Sequence, residues 1–192
     1  MAKLRLFVAL GPQGVFNAIT ALRYMREMED AGAFEDWLLL GPFYAPSEES
    51  HRLRVQCRLW AKLWPFEAIL EMDELVGLAA KGRIGFRIAV ILLRSMTQGR
   101  LVDSIFVAFN GLLPHEVALH AFPDARHVCF GGGTGWLMLD DSCGVSCGFG
   151  NQFPRIDEAY LTTPVEVKAG DRDRVTSKVM PVRFYSSVVA DA

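Results

Sequence analysis

Residues 102–141 read VDSIFVAFNGLLPHEVALHAFPDARHVCFGGGTGWLMLDD, and this stretch decides the fold. Val102–Phe109 is a short run rich in Val, Ile and Phe, closed by Asn110-Gly111, a turn signal. Pro114 suits the first turn of a helix, where its missing N–H removes nothing the helix needs. Pro123-Asp124 ends that helix, and His127–Phe130 resumes the extended pattern before Gly131-Gly132-Gly133-Thr134-Gly135. Strand, helix, strand predicts a βαβ unit. Its polar residues gather where the strands end, the side of an open α/β sheet on which ligands bind.

The same alternation runs outward in both directions. Leu4–Leu10 predicts a strand, Gly11-Pro12-Gln13-Gly14 a turn, and Val15–Ala31 a helix with Phe16, Ile19, Leu22, Met25 and Met28 on one face and Gly32 as its cap. Asp36–Gly41 predicts a second strand. Ser47 then starts a helix running to about Trp64, whose second face is basic through Arg52, Arg54, Arg58 and Lys62. That face is read as solvated, or as a groove for a polyanionic acceptor. Phe66–Met72 predicts a third strand, and Gly77 and Gly82 loosen the segment after it. Ile84–Met96 predicts a helix apolar almost all round, hence buried or paired with another chain. Ser142–Gly150 reads as a small-residue loop, Asp157–Val167 as a strand near the sheet edge because of Pro164, and Val179–Val189 as a last extended piece. The count is about six strands and four helices. The expected fold is a single Rossmann-like α/β domain over residues 1–167, mostly parallel with helices on both faces, followed by an extension at 168–192.

Composition narrows the class. With 192 residues, 51% hydrophobic and 22% charged, the chain has material for one sizeable core. A net charge of −2 without dense Lys/Arg runs excludes a phosphate-dominated nucleic-acid surface. No apolar stretch reaches the ~18 residues of a transmembrane helix, and no leader pattern opens the chain, so a cytoplasmic protein is expected. Cys143 and Cys147 flank Gly-Val-Ser, but the nearest histidine, His127, is far upstream, so no metal site is assigned and no cofactor is expected.

Candidate chemistry clusters at the loops. His115 and Glu116 stand at a helix start behind a strand end, where a general acid or base could sit; simple helix-start chemistry explains Glu116 equally. Asp140-Asp141 could hold a divalent ion, supply a base or be only solvated. Gly11-Pro12-Gln13-Gly14 is either a tight turn or a ligand contact through backbone N–H groups; it is not GxGxxG and no acid closes the second strand, so dinucleotide binding is not expected.

LRLFVALGPQGVFNAITAL (4–22), VDSIFVAFNG (102–111) with HVCFGGGTG (127–135), and EAYLTTPVEV (158–167) resemble the acceptor-side half of bacterial sialyltransferase and polysialyltransferase-type glycosyltransferases of the GT-B class. The resemblance implies half of a GT-B fold, transfer of sialic acid or a related sugar from a nucleotide-sugar to a glycan, and Asp140, Asp141, Glu116 or His115 as catalytic groups. It implies substrate contacts from Gly11, Gln13, Asn17, Asn110, Gly131, Gly132, Gly133 and Thr134. Family members carry an acid within the glycine loop, which Gly131–Gly133 lacks, and the donor motifs have no counterpart in these residues. Partners implied are glycan and nucleotide-sugar ligands, with a homodimer or a separate donor-domain chain completing the cleft. The competing expectation is a non-catalytic glycan- or nucleotide-binding or assembly module of the same fold.

Overall fold

The computed structural model describes residues 2–41, 48–107, 112–131, 157–161 and 176–179. In chain order the elements are β1 (Lys3–Ala9), α1 (Gly11–Met28), a 3₁₀ turn (Ala31–Ala33), β2 (Phe34–Leu40), α2 (Glu48–Ala61), β3 (Ala68–Glu71), α3 (Asp73–Ala79) and α4 (Arg83–Met96). They continue with β4 (Val102–Val107), α5 (Leu113–Ala121), β5 (Arg126–Gly131), β6 (Glu158–Leu161) and β7 (Thr176–Val179). The strands form one sheet in the order β3-β2-β1-β4-β5-β6-β7, and every pairing is parallel. The Rossmann-like α/β architecture is therefore present.

Alternation along β1 builds both cores. Leu4, Leu6 and Val8 join Trp37 and Leu39 of β2 and Ile105 and Val107 of β4 against α3, α4 and α5. Phe7 and Ala9 point the other way, with Leu38, Leu40, Phe106 and Val128, against α1 and α2. Phe7 and Phe106 stack at 4.5 Å between ring centroids, which joins the two halves of the sheet across its centre. The chain moves from β1 to β3 through α1 and α2 on one face, and from β3 through α3, α4 and α5 to β5 on the other, as right-handed crossovers require.

Several expectations are corrected. Gly11-Pro12-Gln13-Gly14 is the first turn of α1 rather than a loop before it, because Pro12 fits the start of a helix. That helix ends at Met28, with the Glu29 N–H on the Met25 carbonyl; Gly32 is not its cap but donates its N–H to Asp30 Oδ1 in the next turn. The loose segment after β3 is helix α3, favoured by Asp73 and Glu74 at its positive end and by burial of Leu75, Val76 and Ala79. Gly82, at φ 101°, makes the turn from α3 into α4. The strand expected at the edge, β6, lies between β5 and β7, since its paired residues Glu158–Leu161 all precede Pro164. The described residues hold seven strands and five α-helices instead of six and four, and the edge strand β7 lies past Val167; residues 180–189 of the last extended piece fall outside them.

The helix α4 also differs. It is not buried all round: Gly85, Ala89 and Leu93 face the core, while Ile84, Ile88, Ile91 and Leu92 are exposed. Gly85 faces inward because α4 runs close to α3 there, where a methyl group would collide with the Leu78 carbonyl oxygen. Gly85→Ala is expected to destabilise the fold by about 1–3 kcal/mol despite alanine's better helix propensity, seen as a lower melting temperature. An unchanged or raised melting temperature would contradict that close approach.

Toward the amino ends of the strands, the α1 side carries a chain of ion pairs. Arg5 and Asp36, both fully buried, form a two-pronged pair at 2.6 and 3.0 Å. Arg5 also reaches Glu29 (3.0 Å), Arg26 joins Asp36 (2.8 Å) to Glu67 (2.8 Å), and Arg126 binds Glu29 (3.1 Å) and Glu158 (3.5 Å). The Asp36 N–H donates to Glu67 Oε2 as well. These charges occupy the edge opposite the one at which α/β sheets bind ligands.

Candidate functional site at the carboxyl edge

The strand order reverses between β1 and β4, so their chains leave the carboxyl edge toward opposite faces, one into α1 and the other toward α5. A crevice between such departures is where open α/β sheets place ligands. Gly11, at φ 65°, turns the chain from Ala9-Leu10 directly into α1. No side chain caps this helix and no acid sits in its first turn. The partial positive charge of its N-terminus is therefore uncompensated by the helix itself, and it favours an anion.

Counted from Ala9 instead of Gly11, the turn reads Ala9-Leu10-Gly11-Pro12-Gln13-Gly14, an A-x-G-x-x-G spacing. Gly14 occupies the position at which helix and strand pack closely: an added Cβ would lie 3.1 Å from the Ala9 carbonyl carbon. Reading from the first glycine missed this; the signal was a small residue two places earlier. The ribose-binding acid of dinucleotide sites remains missing, because β2 ends in buried Leu39-Leu40 followed by Gly41.

Gln13 is exposed and donates through Nε2 to Oδ1 of buried Asn17 at 3.0 Å. Asn17 thus braces the first turn from within α1. On the other side of the crevice, Pro114 lies in the first turn of α5 and His115 is fully buried beneath it. Among the described residues neither ring nitrogen of His115 meets a hydrogen-bond partner. Burial pushes its pKa down to about 3, and an interaction with the Val8 backbone opposes that shift only weakly, without reaching hydrogen-bond geometry. The imidazole is neutral throughout the physiological range. Glu116 sits 3.6 Å from His120, one turn further along α5, and His120 packs edge-on against Phe86 of α4 at 5.2 Å. Glu116 therefore lies on the α4 side of α5, and the two neighbouring acid–base candidates are directed apart.

Gly131 is the last residue of β5, paired with Leu161, rather than part of a loop. Asn110, Gly132, Gly133, Thr134, Asp140 and Asp141, like Cys143 and Cys147, lie outside the described residues. Among the described residues no group of three or more His, Cys, Asp or Glu side chains is arranged to hold a metal ion. The basic face of α2 is largely neutralised: Arg52 pairs with Glu48 (2.8 Å), Arg54 with Asp73 (2.6 Å) and Arg58 with Glu71 (2.9 Å). A groove for a polyanion there loses its basis. Compared with known proteins, the chain matches no family model, no curated protein and no solved structure.

Proposed function

We propose that the protein binds an anionic sugar compound, a nucleotide-sugar or a sialylated glycan, in the crevice between β1 and β4, and that this serves transfer of sialic acid or a related sugar. The observation that carries the binding half is the acid-free N-terminus of α1 set behind Gly11 at the switch in strand order. The resemblance to sialyltransferase-type enzymes supplies the transfer half. Asp140 and Asp141 are then the bases that would take the acceptor hydroxyl proton, and α1 backbone N–H groups would hold the anionic group.

A thermal-shift panel of CMP, CMP-sialic acid, UDP, GDP and sialylated glycans tests the binding half. A ligand at 100 times its dissociation constant adds about 2.7 kcal/mol, a shift of several degrees in a domain of this size. Gln13→Glu places an acid in the first turn, which suits the helix dipole and repels an anion. The variant gives up the Nε2 donor to Asn17 as well, so its own ligand-free melting point is the reference, and against it the shift with CMP compounds is expected to be lost. No shift with any of these ligands would reject the proposal.

The second reading, a binding module without catalysis, draws on one observation. Of the described acid–base candidates, His115 is sealed in the core and Glu116 lies beside His120. Transfer activity that survives Asp140→Asn with Asp141→Asn would remove those two acids from the mechanism; glycan binding with no transfer by the parent would favour the module.

A further inference from the structure

We infer that the outward face of α4 is a docking surface for an anionic lipid bilayer, on which the helix lies flat. Ile84 and Ile91 are 77% and 62% exposed, and Ile88 and Leu92, 42% and 41% exposed, flank them on one side, forming a continuous stripe at helical spacing. Exposed apolar side chains scattered singly need no explanation, but a stripe along one helix does. Arg83 and Arg87 run along one side of it with Lys81 just before, all exposed, and neither arginine pairs with an acid among the described residues. The helix sequence RIGFRIAVILLRSM contains no Asp or Glu.

Charge decides the occupant. A second copy paired through this face would bring acid-free, arginine-bearing helices together, so like charges meet. An anionic bilayer complements both features at once: aliphatic side chains enter the boundary between headgroups and acyl chains, and arginines meet lipid phosphates. The neighbouring elements leave this match intact over Lys81–Ile91. From α3, Asp73 is tied to Arg54, and Glu74 lies near the other end of the helix, beside Leu92, Ser95 and Met96. From α5, Glu116 faces His120, and Arg94 is drawn aside to the Ala121 carbonyl. The α2 surface offers the contrast: Val55, Leu59 and Leu63 are exposed there too, but its arginines are held by Glu48, Asp73 and Glu71. No described helix is long and apolar enough to cross a membrane, so α4 would bind from one side only.

The test is vesicle co-sedimentation of the full chain, with phosphatidylcholine alone and with phosphatidylglycerol added, alongside its mass in solution. The expected result is binding to the anionic vesicles that weakens with salt and with neutral lipid. Arg83→Gln and Arg87→Gln should each lower the partition about fivefold. Ile84→Ser with Ile91→Ser should lower it at least about tenfold; both sites are exposed, so an unchanged melting temperature confirms that the fold is retained. Absence of vesicle binding, equal binding to neutral lipid, or binding untouched by these substitutions would overturn the inference. A dimer broken by Ile84→Ser with Ile91→Ser, without vesicle binding, would overturn it and assign the face to a second copy.

Discussion

Arg5→Ala is expected to remove about 3–5 kcal/mol of folding stability, a large share of what a domain this size holds. The arginine is fully buried beside α1 and gives Nε and Nη2 to the two Asp36 oxygens and Nη1 to Glu29. Truncation leaves Asp36, itself fully buried, with Arg26 as its remaining side-chain cation, at 2.8 Å. The loss therefore comes from an under-compensated buried charge more than from a missing contact. Arg5→Lys should recover part of it, because an ammonium cannot reproduce the two-pronged geometry. Arg5→Met with Asp36→Leu should be less damaging than Arg5→Ala, since both buried charges leave together and Arg26 keeps Glu67. Urea or thermal melts decide it. A change below about 1 kcal/mol for Arg5→Ala would mean that the network is solvated in practice.

That network explains a division within the sheet. Ion pairing links β1, β2, β5 and β6 to α1 near the strand amino ends, with Lys3–Asp103 (2.9 Å) adding β4. At the carboxyl edge the first turn of α1 holds no acid of its own. The ion pairs that tie the strands to α1 thus lie at the opposite edge from the start of that helix.

The parts of this arrangement legible in the sequence were the ones set by local pattern. Alternation in β1, the βαβ unit around α5 and the apolar period of α1 are written in spacings of two and of three to four residues. What escaped depends on distant contacts. Arg5 and Asp36 are 31 residues apart, and nothing in either strand alone marks them as partners. In α4 an apolar pattern almost all round hid which face is buried; the core side holds Gly85, Ala89 and Leu93, with Gly85 at the closest approach to α3. At the crevice, the helix start at His115-Glu116 was readable, but the direction of each ring or carboxylate was not. Successive helical residues differ by about 100° around the axis, so one faces the sheet and the next faces α4.

His115 carries the second large expectation, a stability that falls with acid in a way one substitution can isolate. Its pKa is about 3 in the folded protein and near 6.5 when unfolded. Between those values the unfolded chain binds the extra proton, so stability rises with pH across the window and is lost as pH falls from about 6.5 toward 3. The slope approaches about 1.4 kcal/mol per pH unit. The parent curve sums every titrating group, so it alone assigns nothing to histidine. His115→Leu removes the titrating group and both ring nitrogens, which have no partner among the described residues, while keeping an apolar side chain under α5. At pH 7 the variant is expected to be as stable as the parent or slightly more so, since replacing an unsatisfied buried polar group with an apolar one is close to neutral. At pH 4 it should exceed the parent by about 3 kcal/mol, the part of the histidine linkage lying between pH 6.5 and 4. Denaturant melts at the two pH values measure the difference. Parallel stability curves for the two proteins would show that the ring titrates normally, and would return His115 to the list of groups that reach solvent or substrate.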